Sequence, residues 1–419
     1  MLKARKTTVK ISDDYSIIID RMCTAAFKLW NVCNYERHHY KELDLPVEYP
    51  NWYYQKKAHK DDMWSRQLPA PTAQEVCKLL DKSWKAFYKS RKTEGGETQR
   101  PPKFKHEPMA VNYNPFSIVH KEGSDIIRLT LSKKLKEYVA EKHDIHEEFL
   151  YLQNRIFTEL GTIKQIILSP PKNGECEIVI NCEVPDTEAL PNNGRFLSID
   201  LGLHNLMTCY NSYTGETFIV GRKYLSICHY FDKEIARIQT QWANQQRALG
   251  IKHPKSSKHI KSLHEKKRNS VNDFIHKLTR TVVDYCRDND IRTVVIGDIK
   301  GIREEKDFGS RVNQALHALP YDRIYKQLEY KLREEGFAFV KQEESYTSQT
   351  SPLTDTVSKE NAERTNRIKR GLYTDGEYSW NADVVGAFNI LRLYLQKENI
   401  DLKLDPMAIR SPYVMKVPV

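Results

Sequence analysis

FLSIDLGLHNL, residues 196–206, decides how this chain reads. An apolar run of the kind a buried strand gives stops at Asp200, and Gly202 follows where the backbone must turn or pass close to something. A strand ending this way delivers a carboxylate into a crevice. Far along the chain, WNADVVGAFNIL, residues 380–391, sets Asp383 in the first turn of a helix, where the dipole favours an acid. Gly386 and Ala387 are small enough for that helix to lie tightly on a sheet. Taken singly, each segment also suits a plain strand end or a plain helix cap. Together they place two acids in one fold, and two acids want a cation. Hard divalent ions such as Mg2+ take oxygen ligands, and a pair of them clamping a phosphodiester is a recurrent arrangement for hydrolysing nucleic acid.

Between these segments stands QEESYTSQTS, residues 342–351. LPAPTAQEVCKLLDKSWKAFYKSRK (68–92) and RPPKFK (100–105) precede the pair; RNSVNDFIHKLTRTVVDY (268–285), TVVIGDIKGI (293–302) and LPYDRIYKQLEYKLREEGF (319–337) lie within it. The series in this order resembles the split RuvC nuclease of the TnpB proteins encoded by insertion sequences, and of their relatives, the small type V CRISPR effectors. The resemblance implies an α/β, RNase H-like (RuvC) nuclease with a mixed five-stranded sheet. It also implies an N-terminal helical lobe and a small antiparallel β-barrel that grip guide RNA and the DNA duplex end. The implied activity is Mg2+-dependent DNA endonuclease chemistry, with Mn2+ able to substitute. The implied partners are a guide RNA derived from a transposable element, target double-stranded DNA and a separate transposase of the same element. A small type V CRISPR effector and a nuclease-dead, RNA-guided DNA-binding repressor remain open. A DNA-strand transposase in its own right is disfavoured, because no Tyr or Ser nucleophile motif stands out.

The chain departs from the family twice. TnpB proteins usually carry a catalytic glutamate at the end of the strand that reads VVIGDI here, and register puts Gly297 in its place. Asp298 is adjacent, but one step along a strand turns a side chain to the other face. Glu344 ends the neighbouring strand, and strands lie about 4.8 Å apart, within reach of a glutamate. The expected site is therefore Asp200, Glu344 and Asp383 as metal ligands, with Asp298 the alternative third acid and Glu343 facing away. If neither acid reaches, two ligands remain and the protein is a binder. The second departure is chemical. Many relatives carry a zinc ribbon after the YTSQ segment, whereas Thr350 to Trp380 holds no cysteine and no histidine, so zinc is not expected. A basic loop takes its place. Its Arg364, Arg367, Lys369 and Arg370 can track phosphates, with Tyr373, Tyr378 and Trp380 available for stacking, or the loop is a solvated one with its aromatics folded back. Gln74, Arg100, Lys103, Lys105, Arg268, His276 and Lys277 complete the candidate nucleic-acid contacts.

Composition agrees with a polyanion partner. The 419 residues carry 66 Lys+Arg against 55 Asp+Glu, a net charge of +11. No apolar stretch approaches the roughly 18 residues of a membrane span and no signal peptide opens the chain, so a cytoplasmic, nucleoid-associated protein is expected. The eight cysteines never form CxxC and read as reduced, buried thiols. The expected organisation is a barrel strand at 1–11, a helical lobe at 12–100 and the barrel at 101–194. The nuclease follows at 195–348, with a helical insertion at 226–270, then the basic insert at 349–380, the last nuclease helix at 381–400 and a tail at 401–419. Ile19, Cys23, Ala26, Trp30 and Cys33 fall on one helical stripe of the lobe, a core face.

Overall fold

The computed structural model describes residues 2–93, 95–299, 319–369 and 371–418. They divide into two compact units, Met1–Asp186 and Thr187–Val419.

In the first unit, β1 (Leu2–Lys10) runs into α1 (Asp13–His38), which opens on Ser12 accepting a hydrogen bond from the Tyr15 backbone N–H. Ile19, Cys23, Ala26, Trp30 and Cys33 are all buried on one face of α1, as their spacing requires. The lobe continues through α2 (Trp52–Ala58) and α3 (Ala70–Arg91). Between α1 and α3 lies a buried ion pair, Arg37 to Asp81 at 3.0 Å, with Gln55 of α2 accepting from Arg37 Nε. The strands are β2 (Val111–Tyr113), β3 (Ile118–His120), β4 (Ile126–Thr130), β5 (Phe149–Gln153), β6 (Thr162–Leu168) and β7 (Glu175–Glu183), with α4 (Lys133–His143) between β4 and β5. All pair antiparallel, but hydrogen bonding joins them as two sheets, β1-β7-β6-β2 and β3-β4-β5, not as one closed barrel. The ladder breaks between β2 and β3 at a short 3-10 turn opened by Pro115, which has no N–H to offer.

The second unit is built on a mixed sheet of β12-β11-β8-β9-β10-β15. Its strands are β8 (Phe196–Asp200), β9 (Met207–Asn211), β10 (Thr217–Val220), β11 (Thr293–Asp298), β12 (Ala338–Glu343) and β15 (Tyr413–Met415). β8, β9 and β10 form the expected antiparallel meander, while β11 lies parallel to both β8 and β12. The sheet has six strands, not five. The sixth, β15, comes from the stretch read as a tail and covers the edge of β10 in parallel register, satisfying backbone groups an open edge would leave bare. The helical insertion is longer than expected: α5 (Lys223–Ala248) and α6 (Lys258–Asp288) form a hairpin whose second helix runs on into the core. There α6 and α7 (Tyr321–Glu334) pack on one face of the sheet through Phe274, Ile275, Leu278 and Ile324. On the other face α8 (Ala382–Glu398) packs through Ala387, Phe388 and Leu391 against Phe196, Tyr210 and Val295. Burial on both faces is why β8, β10 and β11 read as near-continuous apolar runs. A small hairpin, β13 (Tyr373–Asp375) with β14 (Tyr378–Trp380), precedes α8. Among the described residues, no helix is long and apolar enough to cross a membrane.

Candidate active site

Asp200 closes β8, and its carboxylate lies against α8. A Cβ placed on Gly386 would come within 2.8 Å of Asp200 Oδ2, so only glycine lets the helix settle this close to the strand end. Asp383 stands in the first turn of that helix, which Asn381 caps by accepting from the Asp383 and Val384 backbone N–H groups at 3.0 and 3.3 Å. Helix packing thus brings the two acids together, and the electrostatics registers it. Burial first, and then the Asp383 charge, push the Asp200 carboxyl up to about 7, against a partial offset from Arg367 and a hydrogen bond from the Leu201 N–H.

Glu344 arrives from the next strand but one. β12 ends at Glu343, and the chain turns at once: Thr347 N–H and Oγ1 both donate to the Glu344 carbonyl, and Tyr346 takes a positive φ of 63°. Two side chains of α8 hold this turn. Asn389 donates to the carbonyls of Thr347 and Thr350 at 2.8 and 2.7 Å, and Arg392 donates to that of Ser351 at 3.0 Å. The Glu344 side chain then lies directly over Gly297. A Cβ there would stand 1.7 Å from Glu344 Oε1 and 2.6 Å from its carboxyl carbon, so Glu344 occupies the space that a side chain at 297 would fill. Its Oε1 is buried with no hydrogen-bond partner, and burial, then Asp200 and Asp298, raise its carboxyl to about 9.

The other acids are arranged differently. Asp298 pairs in register with Glu343, and strand alternation turns it to the face opposite Gly297. Glu343 is exposed and accepts a hydrogen bond from Ser345. Both carboxylate oxygens of Asp383 are already taken: Oδ2 accepts from Asn205 Nδ2 at 2.7 Å and Oδ1 from Arg367 at 3.4 Å. Asn205 is in turn fixed by Arg222 Nε at 3.0 Å. As positioned, no three His, Cys, Asp or Glu side chains among the described residues are grouped closely enough to hold a metal ion. The donor set nonetheless suits a hard divalent cation, because Asp200 and Glu344 bring two partly buried carboxyls together and one oxygen of Glu344 is buried and unbonded. Asn205, Arg222, Asn389 and Arg392 escaped sequence reasoning. Asn205 carried a faint signal in its place just after the strand-ending acid.

The candidate nucleic-acid contacts are scattered. In the first unit, the backbone of the RPPKFK segment is strapped to α1: Asn31 donates to the Lys105 carbonyl at 2.9 Å and accepts from its N–H at 2.8 Å, and Asn34 donates to the Pro102 carbonyl at 3.0 Å. Arg100, Lys103 and Lys105 are left exposed around a cavity of about 1050 Å³. Gln74 lines a separate groove of about 490 Å³ with Lys56, Lys60 and Lys133. In the second unit, Arg268 is exposed near Glu265 at 3.6 Å, Lys277 pairs with Asp273 at 2.9 Å, and burial lowers the pKa of His276. Of the basic insert, Arg364 donates to Gln349, Arg367 is held by Asp383, and Lys369 bridges to Leu372. Arg370 lies outside the described residues. Tyr373 is buried, its hydroxyl donating to the Gln349 carbonyl, whereas Tyr378 and Trp380 stack at 5.8 Å.

Residues 179–303 match the OrfB_IS605 family model, described as a probable transposase, and residues 321–390 match the Cas12f1-like TNB domain. No curated protein matches the chain. Among solved structures it is similar to a Cas12f1 chain from a complex with sgRNA and target DNA, 15% identical over 90% of this chain and 83% of that one, with a TM-score of 0.57. More distant are a Cas12i chain from a complex with crRNA and double-stranded DNA and CasPhi-2 bound to crRNA. The first is 10% identical over 90% of this chain and 66% of that one at a TM-score of 0.46; the second is 10% identical over 94% and 98% at 0.43. Asp200 and Gly297 fall within the first family model, Glu344 and Asp383 within the second. The resemblance to the TnpB family and its small type V relatives is thereby shown, by two family models that take in most of the second unit and by the fold.

Proposed function

We propose that this chain is an RNA-guided, divalent-metal-dependent DNA endonuclease of the TnpB type. The observation that carries the proposal is Glu344: its buried, unbonded carboxylate oxygen lies over Gly297 and beside Asp200, filling from the neighbouring strand the place where the family's glutamate is missing. Asp200, Glu344 and Asp383 would hold Mg2+, with Mn2+ a substitute. When bound, such ions polarise the scissile phosphodiester and lower the pKa of a water molecule. The chain's own residues do the rest. Asn205, braced by Arg222, aims the Asp383 carboxylate, and Arg367 neutralises it until the acid is needed as a ligand. The Asn389 and Arg392 bonds fix the turn that presents Glu344, so the acid site is organised largely by α8.

Sequence choice would lie in a guide RNA transcribed from the same element and pairing with target double-stranded DNA. The basic surface of a +11 chain would hold that RNA, and a separate transposase would move the element. The setting would be the cytoplasm, on nucleoid DNA. Co-expression of the chain with its flanking DNA, sequencing of the RNA that copurifies, and incubation of the complex with guide-matched plasmid in Mg2+, Mn2+ or EDTA tests this directly. Guide-dependent cleavage lost in EDTA and in Asp200→Ala supports the assignment. Guide-dependent binding with no cleavage in either metal would replace it with the repressor, and absence of any RNA would remove guided recognition altogether.

A further inference from the structure

We propose that Cys33 and Cys77 are an oxidative modification site, a thiol pair that hydrogen peroxide entering the groove beside α3 converts to a reversible disulfide tying α1 to α3. The site lies wholly in the first unit and does not depend on the nuclease reading of the second.

The two sulfurs stand 3.9 Å apart, Cys33 on α1 and Cys77 on α3, both buried. Four residues further along each helix, Arg37 of α1 meets Asp81 of α3 at 3.0 Å. The helices are thus held together over two successive turns, with the thiols facing each other in one of them. Gln55 of α2 steadies the same turn of α1, its amide donating to the Cys33 carbonyl at 2.8 Å and to Glu36 Oε2 at 2.7 Å. Closing to a bonded S–S distance of about 2.05 Å asks each sulfur to move by about 1 Å. Side-chain rotation on two fixed helices supplies that.

Cysteine is a common core residue, so burial of the pair is not the argument; its surroundings are. Cys77 lines the groove of about 490 Å³, and His59 lines it too. His59 shares a hydrogen bond with Glu36 Oε2 at 3.2 Å, which raises its pKa and favours the imidazolium. The bond from Cys33, and after it the charges of His59 and Arg37, lower the Cys77 thiol below its usual value against the opposing effect of burial. That bond and burial raise Cys33, so the shared proton rests on Cys33. Cys209 and Cys286, enclosed in the core of the second unit, are instead raised by burial. A thiol that ionises at a groove, with a second thiol in contact behind it, is the arrangement of a peroxide-sensitive cysteine and its resolving partner.

The chemistry closes without any further reagent. Cys77 is only 2% exposed, so its oxidant must be small and neutral. The Cys77 thiolate attacks one peroxide oxygen; an S–O bond forms, the O–O bond breaks, and the departing hydroxide takes up the proton Cys77 released and leaves as water. The Cys33 sulfur then attacks Cys77 Sγ of the sulfenic acid; the S–S bond forms, the S–O bond breaks, and a second water leaves with the Cys33 proton. Two thiols are oxidised by two electrons and one peroxide is reduced to two waters. A dithiol reverses the change. The bond closes a loop across a separation of 44 residues, which restrains the unfolded chain and fixes α3 on α1.

The test uses the full chain with its copurified RNA, reduced, desalted and exposed to a modest excess of hydrogen peroxide. Remaining thiols are alkylated, and the protein is digested without reductant for mass-spectrometric mapping. A Cys33–Cys77 linked peptide should appear before any other change among the eight cysteines and vanish with dithiothreitol, while Cys209 and Cys286 stay alkylatable. In Cys33→Ala, Cys77 should halt as a sulfenic acid that dimedone traps; in Cys77→Ala, Cys33 should remain a thiol. His59→Gln should slow the reaction about two- to tenfold near neutral pH. The linked chain should melt about 4–16 °C higher than the reduced one. Full alkylation of Cys33 and Cys77 after peroxide, earlier oxidation of the less buried Cys228, or a link found only in urea overturns the proposal, and the wild-type map decides this whether or not a variant folds. A link that forms without raising the melting transition overturns the tie between the helices.

Discussion

Glu344→Gln should abolish cleavage and yet change the stability of the metal-free second unit in a direction that reverses with pH. Burial and its acidic neighbours raise the Glu344 carboxyl from 4.5 to about 9. An acid whose folded pKa is raised binds its proton more tightly when folded, so the folded state bears no penalty below the unfolded value. Stability is lost as pH climbs from there toward 9. At about pH 7.5 the protein works three units above 4.5, and at about 1.4 kcal/mol per unit the penalty is about 4 kcal/mol. Glutamine keeps the shape and removes the titration, but leaves a buried amide short of partners at a cost of about 1–3 kcal/mol. The balance is a gain of about 1–3 kcal/mol near pH 7.5 that shrinks on acidification and becomes a loss of about 1–3 kcal/mol below about pH 4.5. Urea unfolding in EDTA, followed at several pH values, reads the difference. Added Mg2+ should stabilise wild type more than the variant, since one ligand has lost its charge. A variant no more stable than wild type at about pH 8, or a gap that does not close toward acid, would refute the picture of Glu344 as a buried, unsatisfied acid.

Gly297→Ala should displace Glu344, because its methyl would stand 1.7 Å from Oε1; a stability cost of about 1–3 kcal/mol is expected with a cleavage loss of about a hundredfold, and unchanged turnover would show that Glu344 does not act from that position. Asp200→Ala should reduce guide-dependent cleavage by about a thousandfold or more and leave guided binding near normal, while Asp298→Asn costs much less; quantitative nicking assays with parallel binding measurements separate the two. In the first unit, Asp81→Ala strands the buried Arg37 guanidinium, and denaturant unfolding should record a loss of about 3–5 kcal/mol, with Arg37→Met and Asp81→Leu together recovering most of it.

Much of this protein follows from local pattern. The strand ending at Asp200, the capped helix carrying Asp383 and the stripe from Ile19 to Cys33 are each legible because burial imposes a period on neighbouring residues. Motif order supplied the family, and the reach across two adjacent strands put Glu344 before Asp298. The rest depends on groups far apart in sequence. No local rule says that Gly297 leaves a vacancy, since that requires the turn after β12, the left-handed Tyr346 and the α8 side chains that hold it. Nor does sequence show that Arg367, read as a phosphate-tracking arginine, spends its charge on Asp383, or that Asn205 aims that acid. The sixth strand escaped for a related reason. Three residues at 413–415 carry too little periodicity to announce a strand, and only an unpaired edge on β10, itself a product of the folded sheet, makes them one. Local periodicity thus determines which elements form and where the acids fall on them. Close approach between elements, which sequence spacing does not encode, decides which acids meet and what else faces them.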